Sequence, residues 1–410
     1  MLTQHIPPLL RHNPTYRKLY IAQLVSSFGD NFYNVALVWY LMAHTHSALI
    51  SGGIAVCNYL GAFLGSLWSN SFVDRHDTRH VLLATTLANI SFMGLLVMLA
   101  ATHNASIPIY YAVAFGVSLT CNFFNTARSK SVMEMVATED LNEANNLDSF
   151  SGGLVVLFSS GAAGAAVTLL GIMPALIINL LSFMVMIALT DVSHWETRQV
   201  AQEEVPKNSF KESFRLIRKS PTIRTLFVLD WLFYLCLNAS WAALPLKVAE
   251  IGDGFTYGLQ GTLNGLGILL ASLLFMRAIH KLPSKVERIY LFYLLAYALV
   301  EIILAFSSNG LMFLAVTFML GLLTTPRTNY RQLMIQYNTE TQHAGKMFSS
   351  FSTVQNATNM LMFIIGARLA DLASPTLVMA GASAILVLLL ILMGAKSGFL
   401  TGNVKIKQID

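Results

Sequence analysis

Apolar runs long enough to cross a bilayer recur down the whole chain, separated by short polar turns. "VLLATTLANISFMGLLVMLAA" from Val81 and "GASAILVLLLILMGA" from Gly381 are two of them. A hydrocarbon core about 30 Å thick needs about 20 apolar residues in an α-helix. By that measure the pattern predicts twelve membrane helices, centred roughly on residues 32, 60, 91, 117, 156, 182, 236, 265, 296, 320, 358 and 386. The first, from about Leu19 to His44, is too long for a signal-peptide core and lacks a cleavage site, so it is expected to stay in place.

Polar residues inside these runs fall on stripes. Gln23, Ser27, Asp30 and Asn34 are spaced four, three and four, which puts them on one face of the first helix. Asp30 lies about eleven residues into the span, about 17 Å deep at about 1.5 Å per residue, near the midplane. An ionisable group at that depth is expensive and faces a cavity or a partner. The seventh helix carries Asp230, Tyr234, Asn238 and Trp241, again at helical spacing. Amides beside aromatic rings suit an amphiphilic organic ligand. The same groups could equally hydrogen-bond between packed helices. The fourth helix offers Asn122, Asn125 and Arg128, and the tenth Thr324, Thr325 and Arg327. The two arginines fall near the cytoplasmic ends, where they can snorkel, so gating or headgroup anchoring is expected of them. Glu301 lies in the ninth helix, and none of the ten histidines is mid-span.

Composition and charge sharpen this picture. The 410 residues are 55% hydrophobic and 11% charged, against about 25% charged in an ordinary soluble domain. Cys57, Cys121 and Cys236 all fall inside predicted helices, at spacings that suit neither a disulfide framework nor a zinc site. The formal net charge of +5 is a topology signal. With both termini in the cytoplasm, all but two of the 26 Lys and Arg residues lie on the cytoplasmic side, Lys247 and Arg368 being the exceptions. That distribution excludes nucleic acid as the reason for the basic balance. Nucleophile elbows, phosphate loops and paired His–Cys metal spacings are absent, which argues against an enzyme, a bound cofactor and ATP as the energy source.

The chain also repeats itself. "NPTYRKLY" from Asn13 returns as "SPTIRTLF" from Ser220, an offset of 207 residues. "NYLGAFLGSL" from Asn58 matches "NGLGILLASL" from Asn264, "FFNTARSKSVMEMV" from Phe123 matches "LLTTPRTNYRQLMI" from Leu322, and "GAAGA" from Gly161 matches "GARLA" from Gly366. At these offsets Asn31 corresponds to Asn238, Asn34 to Trp241, Asn58 to Asn264 and Arg128 to Arg327. Six helices per half give a parallel pseudo-repeat about an axis along the membrane normal. The expected organisation is a six-helix half over 1–193, a cytoplasmic linker over 194–219, a second six-helix half over 220–398 and a cytoplasmic tail over 399–410. The linker, with charges of alternating sign and Pro206, reads as solvated, with a short surface helix near "SFKESFRLIRK".

After the second helix the chain reads "SNSFVDRHDTRHVLL", which resembles the loop motif of the major facilitator superfamily. Asp74 and Arg75 match its acidic–basic pair and Arg79 its later arginine. The opening "RHNPTYRKLYIAQLVSSFGDNFYNVALVWYL" and "TEDLNEANNLDSF" before the fifth helix resemble the branch of macrolide-efflux and siderophore-export proteins. In the second half His280, Lys281 and Lys285 stand at the loop-motif positions, and Ala162 occupies the proline place of the antiporters' fifth-helix signature. The resemblance implies an all-α major facilitator fold whose first, fourth, seventh and tenth helices line a central cavity. The cavity residues expected are Gln23, Ser27, Asn31, Asn34, Asn58, Asn122, Asn125, Asp230, Tyr234, Asn238, Trp241 and Asn264. Asp30 is the expected proton-coupling acid, and Asp74, Arg75, Arg79, Arg128 and Arg327 are the expected gate. The function implied is export of an amphiphilic drug, siderophore or metabolite by proton antiport, from a multi-pass monomer in a bacterial-type cytoplasmic membrane. A lipid or lysolipid mover, a nutrient importer, and a receptor or assembly factor on a transporter fold are the alternatives.

Overall fold

The computed structural model describes residues 7–102, 106–137, 140–192, 215, 217–218, 220–278, 286–339 and 341–397. Among them the regular elements are all helices. These are α1 (Pro8–His12), α2 (Pro14–Thr45), α3 (Ala48–Arg75), α4 (Thr78–Ala101), α5 (Ile107–Met135), α6 (Leu141–Leu170) and α7 (Met173–Val192), followed by α8 (Pro221–Ile251), α9 (Gly254–Ala278), α10 (Val286–Ala305), α11 (Gly310–Tyr337), α12 (Thr341–Leu372) and α13 (Pro375–Ser397). Each of the twelve centres predicted from hydropathy falls inside one of the helices α2 to α13. Nine helices among the described residues are long and apolar enough to cross a membrane. The helices α2, α9 and α12, with polar groups along their length, are not among those nine. The protein is an all-α membrane protein. The expected linker and tail lie almost wholly outside the described residues, as do His280, Lys281 and Lys285.

The repeated octet is a helix-start signal. Asn13 Oδ1 accepts from the Tyr16 N–H at 2.9 Å, and Ser220 Oγ accepts from the Ile223 N–H at 3.3 Å. Each satisfies one of the donors that a helix leaves unpaired at its start. Pro14 and Pro221 follow at the first helical position, where a missing N–H costs nothing.

The described chain divides into two compact units. The first takes in Met1–Thr45, Gly53–Gln202 and Tyr257–Thr262, and the second His46–Gly52, Glu203–Thr256 and Leu263–Asp410. Inside the first unit α2 packs on α6 and α7, while α4 packs on α5 and α7. Inside the second, α8 packs on α12 and α13, while α10 packs on α11 and α13. The packing partners therefore repeat with the sequence. Tyr16 and Leu19 of α2, Val73 of α3, Leu82 of α4 and Ala127 of α5 join one buried apolar cluster near the start of α2.

Candidate functional site

The first unit holds a partly open cavity of about 380 Å³ whose walls come from α2, α4, α5, α6 and α7. Gln23, Ser27, Asp30, Asn31, Asn34 and Asn125 all line it. Helical spacing alone brings the α2 residues there, because one face of α2 carries them together. Asn31 donates to Ser159 Oγ at 2.6 Å and Ser160 Oγ at 3.0 Å, tying α2 to α6. Asn34 Oδ1 accepts from Asn58 Nδ2 at 2.9 Å, so Asn58 supports the wall from α3 rather than lining it. Asn122 packs on α3 at Gly65, away from the lining.

Asp30 is the acidic group of this cavity. Asn179 of α7 lies beside its carboxylate, and the Asp30 Oδ1 and the Asn179 Nδ2 are both shut off from solvent with no hydrogen-bond partner among the described residues. None of the described ion pairs includes Asp30. A buried carboxylate without a counter-charge is unstable as an anion unless a proton or a cation joins it. Around it stand residues that the stripe on α2 did not announce: Thr86, Asn89, Cys121 and Phe183. Asn89 Oδ1 accepts from Thr120, and Asn89 Nδ2 reaches Cys121 Sγ at 3.6 Å.

A second cavity of about 100 Å³ shares Gln23, Ser27, Gly152 and Val155 with the first. It is bounded by Arg128 and Asp148, whose ion pair measures 2.5 Å and ties α5 to α6, and by Tyr20, hydrogen-bonded to Ser151. Arg128 is thus held by a carboxylate within the unit.

In the second unit the stripe on α8 is engaged with neighbouring helices. Asn238 donates to Asn359 Oδ1 on α12 at 2.6 Å and to the Tyr234 carbonyl at 2.6 Å. Asn264 reaches the Thr317 carbonyl at 3.4 Å. Trp241 lies beside Tyr297 of α10. Asp230, 3% exposed, receives Arg331 Nη1 at 2.9 Å and the Tyr290 hydroxyl at 3.3 Å, with Arg327 Nη1 at 3.7 Å. Arg327 lies 4.3 Å over the Phe233 ring and donates to the Tyr234 hydroxyl at 3.3 Å. Rather than snorkelling, Arg327 is 4% exposed and paired. Arg331 was not anticipated, although it sits four residues after Arg327 and so on the same helical face. Glu301 is buried and accepts from Ser240 Oγ at 2.6 Å.

At the α3–α4 turn Asp74 and Arg75 are exposed and Arg79 is half-buried. Asp77 caps α4 by accepting from the Arg79 N–H at 2.8 Å. The turn is anchored to α5 by Thr78 donating to Glu134 at 3.0 Å and Lys130 donating to the Val73 carbonyl at 3.1 Å. Among the described residues no group of three or more His, Cys, Asp or Glu side chains could hold a metal ion.

The family model described as "Transmembrane secretion effector" matches residues 5–397. No curated protein sequence matches the chain. Among solved structures, a bacterial homologue of the iron transporter ferroportin, in an inward-facing state, superposes with a TM-score of 0.67 at 16% identity, over 95% of this chain and 100% of that one. A POT family transporter in complex with a thioalcohol-conjugated peptide gives 0.72 at 11% identity, over 94% of this chain and 96% of that one. The nucleoside transporter NupG gives 0.70 at 11% identity, over 92% and 98%. At such identities the likeness is one of fold, and the fold is that of the major facilitator transporters.

Proposed function

The chain belongs to the transmembrane secretion effector family, and from that premise we propose that it exports an amphiphilic small organic molecule by proton antiport. The membrane-transporter part of this reading follows from family and fold. The observation that carries the finer part is Asp30: an acid in a polar cavity of the first unit, in none of the described ion pairs. Such a carboxylate can take a proton when the cavity meets the acidic exterior and release it when the cavity meets the cytoplasm. Substrate and proton then compete for one cavity, which is the minimal physical basis of antiport. Asn31 and Asn34 would orient the molecule through hydrogen bonds, with Phe124 and Phe183 supplying flat apolar contact.

In this reading both termini are cytoplasmic, the membrane is the cytoplasmic membrane and the monomer is the working unit. Asp74, Arg75 and Arg79 act in gating. Asp74→Asn should slow turnover while ligand binding stays close to native, and native turnover at equal expression would remove that turn from the mechanism. The decisive test uses the full chain in proteoliposomes with an imposed pH gradient and a panel of amphiphilic dyes and macrolides. Asp30→Asn should abolish uphill transport and preserve downhill exchange. A mutant that still concentrates substrate, with unchanged pH dependence, would return Asp30 to helix packing.

A further inference from the structure

The buried ionic cluster of the second unit has more positive charge than a tether between helices needs. Asp230 of α8 faces two guanidinium groups of α11, Arg331 at 2.9 Å and Arg327 at 3.7 Å. One arginine would neutralise one carboxylate. Among the described residues the second leaves a net positive charge in a helix bundle, where charge is costly unless compensated. Several donors also lack acceptors. Among the described residues Arg327 Nε, Arg327 Nη1 and Arg331 Nε are buried with no hydrogen-bond partner. Arg327 itself is 4% exposed, with its guanidinium carbon 4.3 Å from the centre of the Phe233 ring and 5.4 Å from that of Tyr234. The Arg331 side chain is 14% exposed, the most accessible of the three charged groups. Tyr290 donates to Asp230 Oδ1 at 3.3 Å, so the carboxylate keeps a partner if one arginine turns to a new anion.

We propose that this cluster is an anion site, in which the arginine in excess receives a carboxylate or phosphate group of the transported molecule or of a lipid headgroup. Guanidinium groups bind both groups by paired, charge-assisted hydrogen bonds. Asp230 is then an internal competitor that keeps the arginines compensated when the site is empty. For the transported molecule this assigns an anionic substituent, and in that respect it rests on the export reading above. Binding at the cluster does not require Asp30 to carry protons.

The test is anion-dependent thermal stabilisation of the full chain in phosphatidylcholine nanodiscs at constant ionic strength. The probes are benzoate, inorganic phosphate and, as the neutral counterpart, benzamide. Benzoate or phosphate should raise the unfolding midpoint and benzamide should not. The half-saturating concentration should rise about tenfold or more in Arg327→Gln and Arg331→Gln, as expected for a lost hydrogen bond to a charged group. It should fall in Asp230→Asn, where the competitor is gone. Arg331→Lys, which keeps the charge, should retain part of the shift. Nanodiscs containing phosphatidylglycerol separate the sources: a midpoint raised only there identifies a lipid headgroup, and one raised by soluble anions identifies the substrate class. Asp30→Asn should leave every anion shift unchanged, so a failed antiport reading and a failed anion site are told apart. A plain tether predicts that Asp230→Asn only destabilises, with no gain for any anion. That result, together with no anion-dependent shift in the native chain, overturns the proposal.

Discussion

Asp30 and Glu301 are both acids placed within helices by the sequence, yet the structure gives them different surroundings. Asp30 lines a cavity, whereas Glu301 is enclosed by α8 and α10 with Ser240 donating to one of its oxygens at 2.6 Å. Under the proposed proton-coupled export, Glu301→Gln, which preserves the acceptor that Ser240 uses, should leave transport at its native rate, while Asp30→Asn should abolish it. Matched vesicle assays of the two variants check this, and equal loss in both would mean that burial of an acid, not its cavity, is what transport requires. The depth of Asp30 and its stripe were legible in the spacing of α2. Its neighbour Asn179 was not, because it arrives from α7 about 150 residues later through packing that no local pattern encodes. The same holds for Arg327, whose place near a helix end suggested snorkelling until Asp230 was seen opposite it.

At the scale of elements, the internal repeat is also a repeat of packing. "NYLGAFLGSL" and "NGLGILLASL" place Gly61 and Gly267 at corresponding points of α3 and α9. A Cβ on Gly61 would stand 2.6 Å from the Phe115 carbonyl oxygen of α5, and one on Gly267 would stand 2.5 Å from the Phe318 carbonyl oxygen of α11. Both contacts are with backbone, which cannot rotate away, so each glycine sets how closely two helices approach. Gly61→Ala and Gly267→Ala should each cost about 1–3 kcal/mol, the usual range for overpacking. Gly94, with nothing within 4 Å of its Cβ position, should accept alanine without loss. Unfolding midpoints of the three variants in one detergent decide the matter, and a Gly61 variant as stable as the Gly94 variant would refute the close-approach reading. Helix starts were equally legible, since Asn13–Pro14 and Ser220–Pro221 carry cap and first-turn chemistry in adjacent residues. The two units' pattern of partners was legible only as far as the repeat implied it. Which helix packs on which depends on contacts between segments far apart in the chain.

For the whole molecule, the proposed orientation rests on the one-sided placement of nearly all the Lys and Arg residues that the twelve-helix reading gives. That orientation needs its own test, because the helices would pack identically in a chain inserted the other way. With the termini inside, α2 runs outward and α3 returns, so the α3–α4 turn is cytoplasmic and the α4–α5 and α10–α11 turns face out. His76 is exposed on the first of these turns, and Thr102 and Ser308 are exposed on the other two. Single cysteines can therefore report the topology once Cys57, Cys121 and Cys236 are replaced by alanine. In intact cells a membrane-impermeant maleimide should label Thr102→Cys and Ser308→Cys. His76→Cys and Lys405→Cys should react only after the membrane is opened. Because Thr102 and Ser308 come from corresponding turns of the two halves, their agreement also tests the parallel repeat: an inverted repeat would label one and spare the other. Labelling of His76→Cys and Lys405→Cys from outside would invert the whole topology. Because proton and substrate compete for one cavity in the proposed mechanism, exchange would still carry substrate against the proton flux, so the labelling decides the topology and leaves the direction of transport to the vesicle assay.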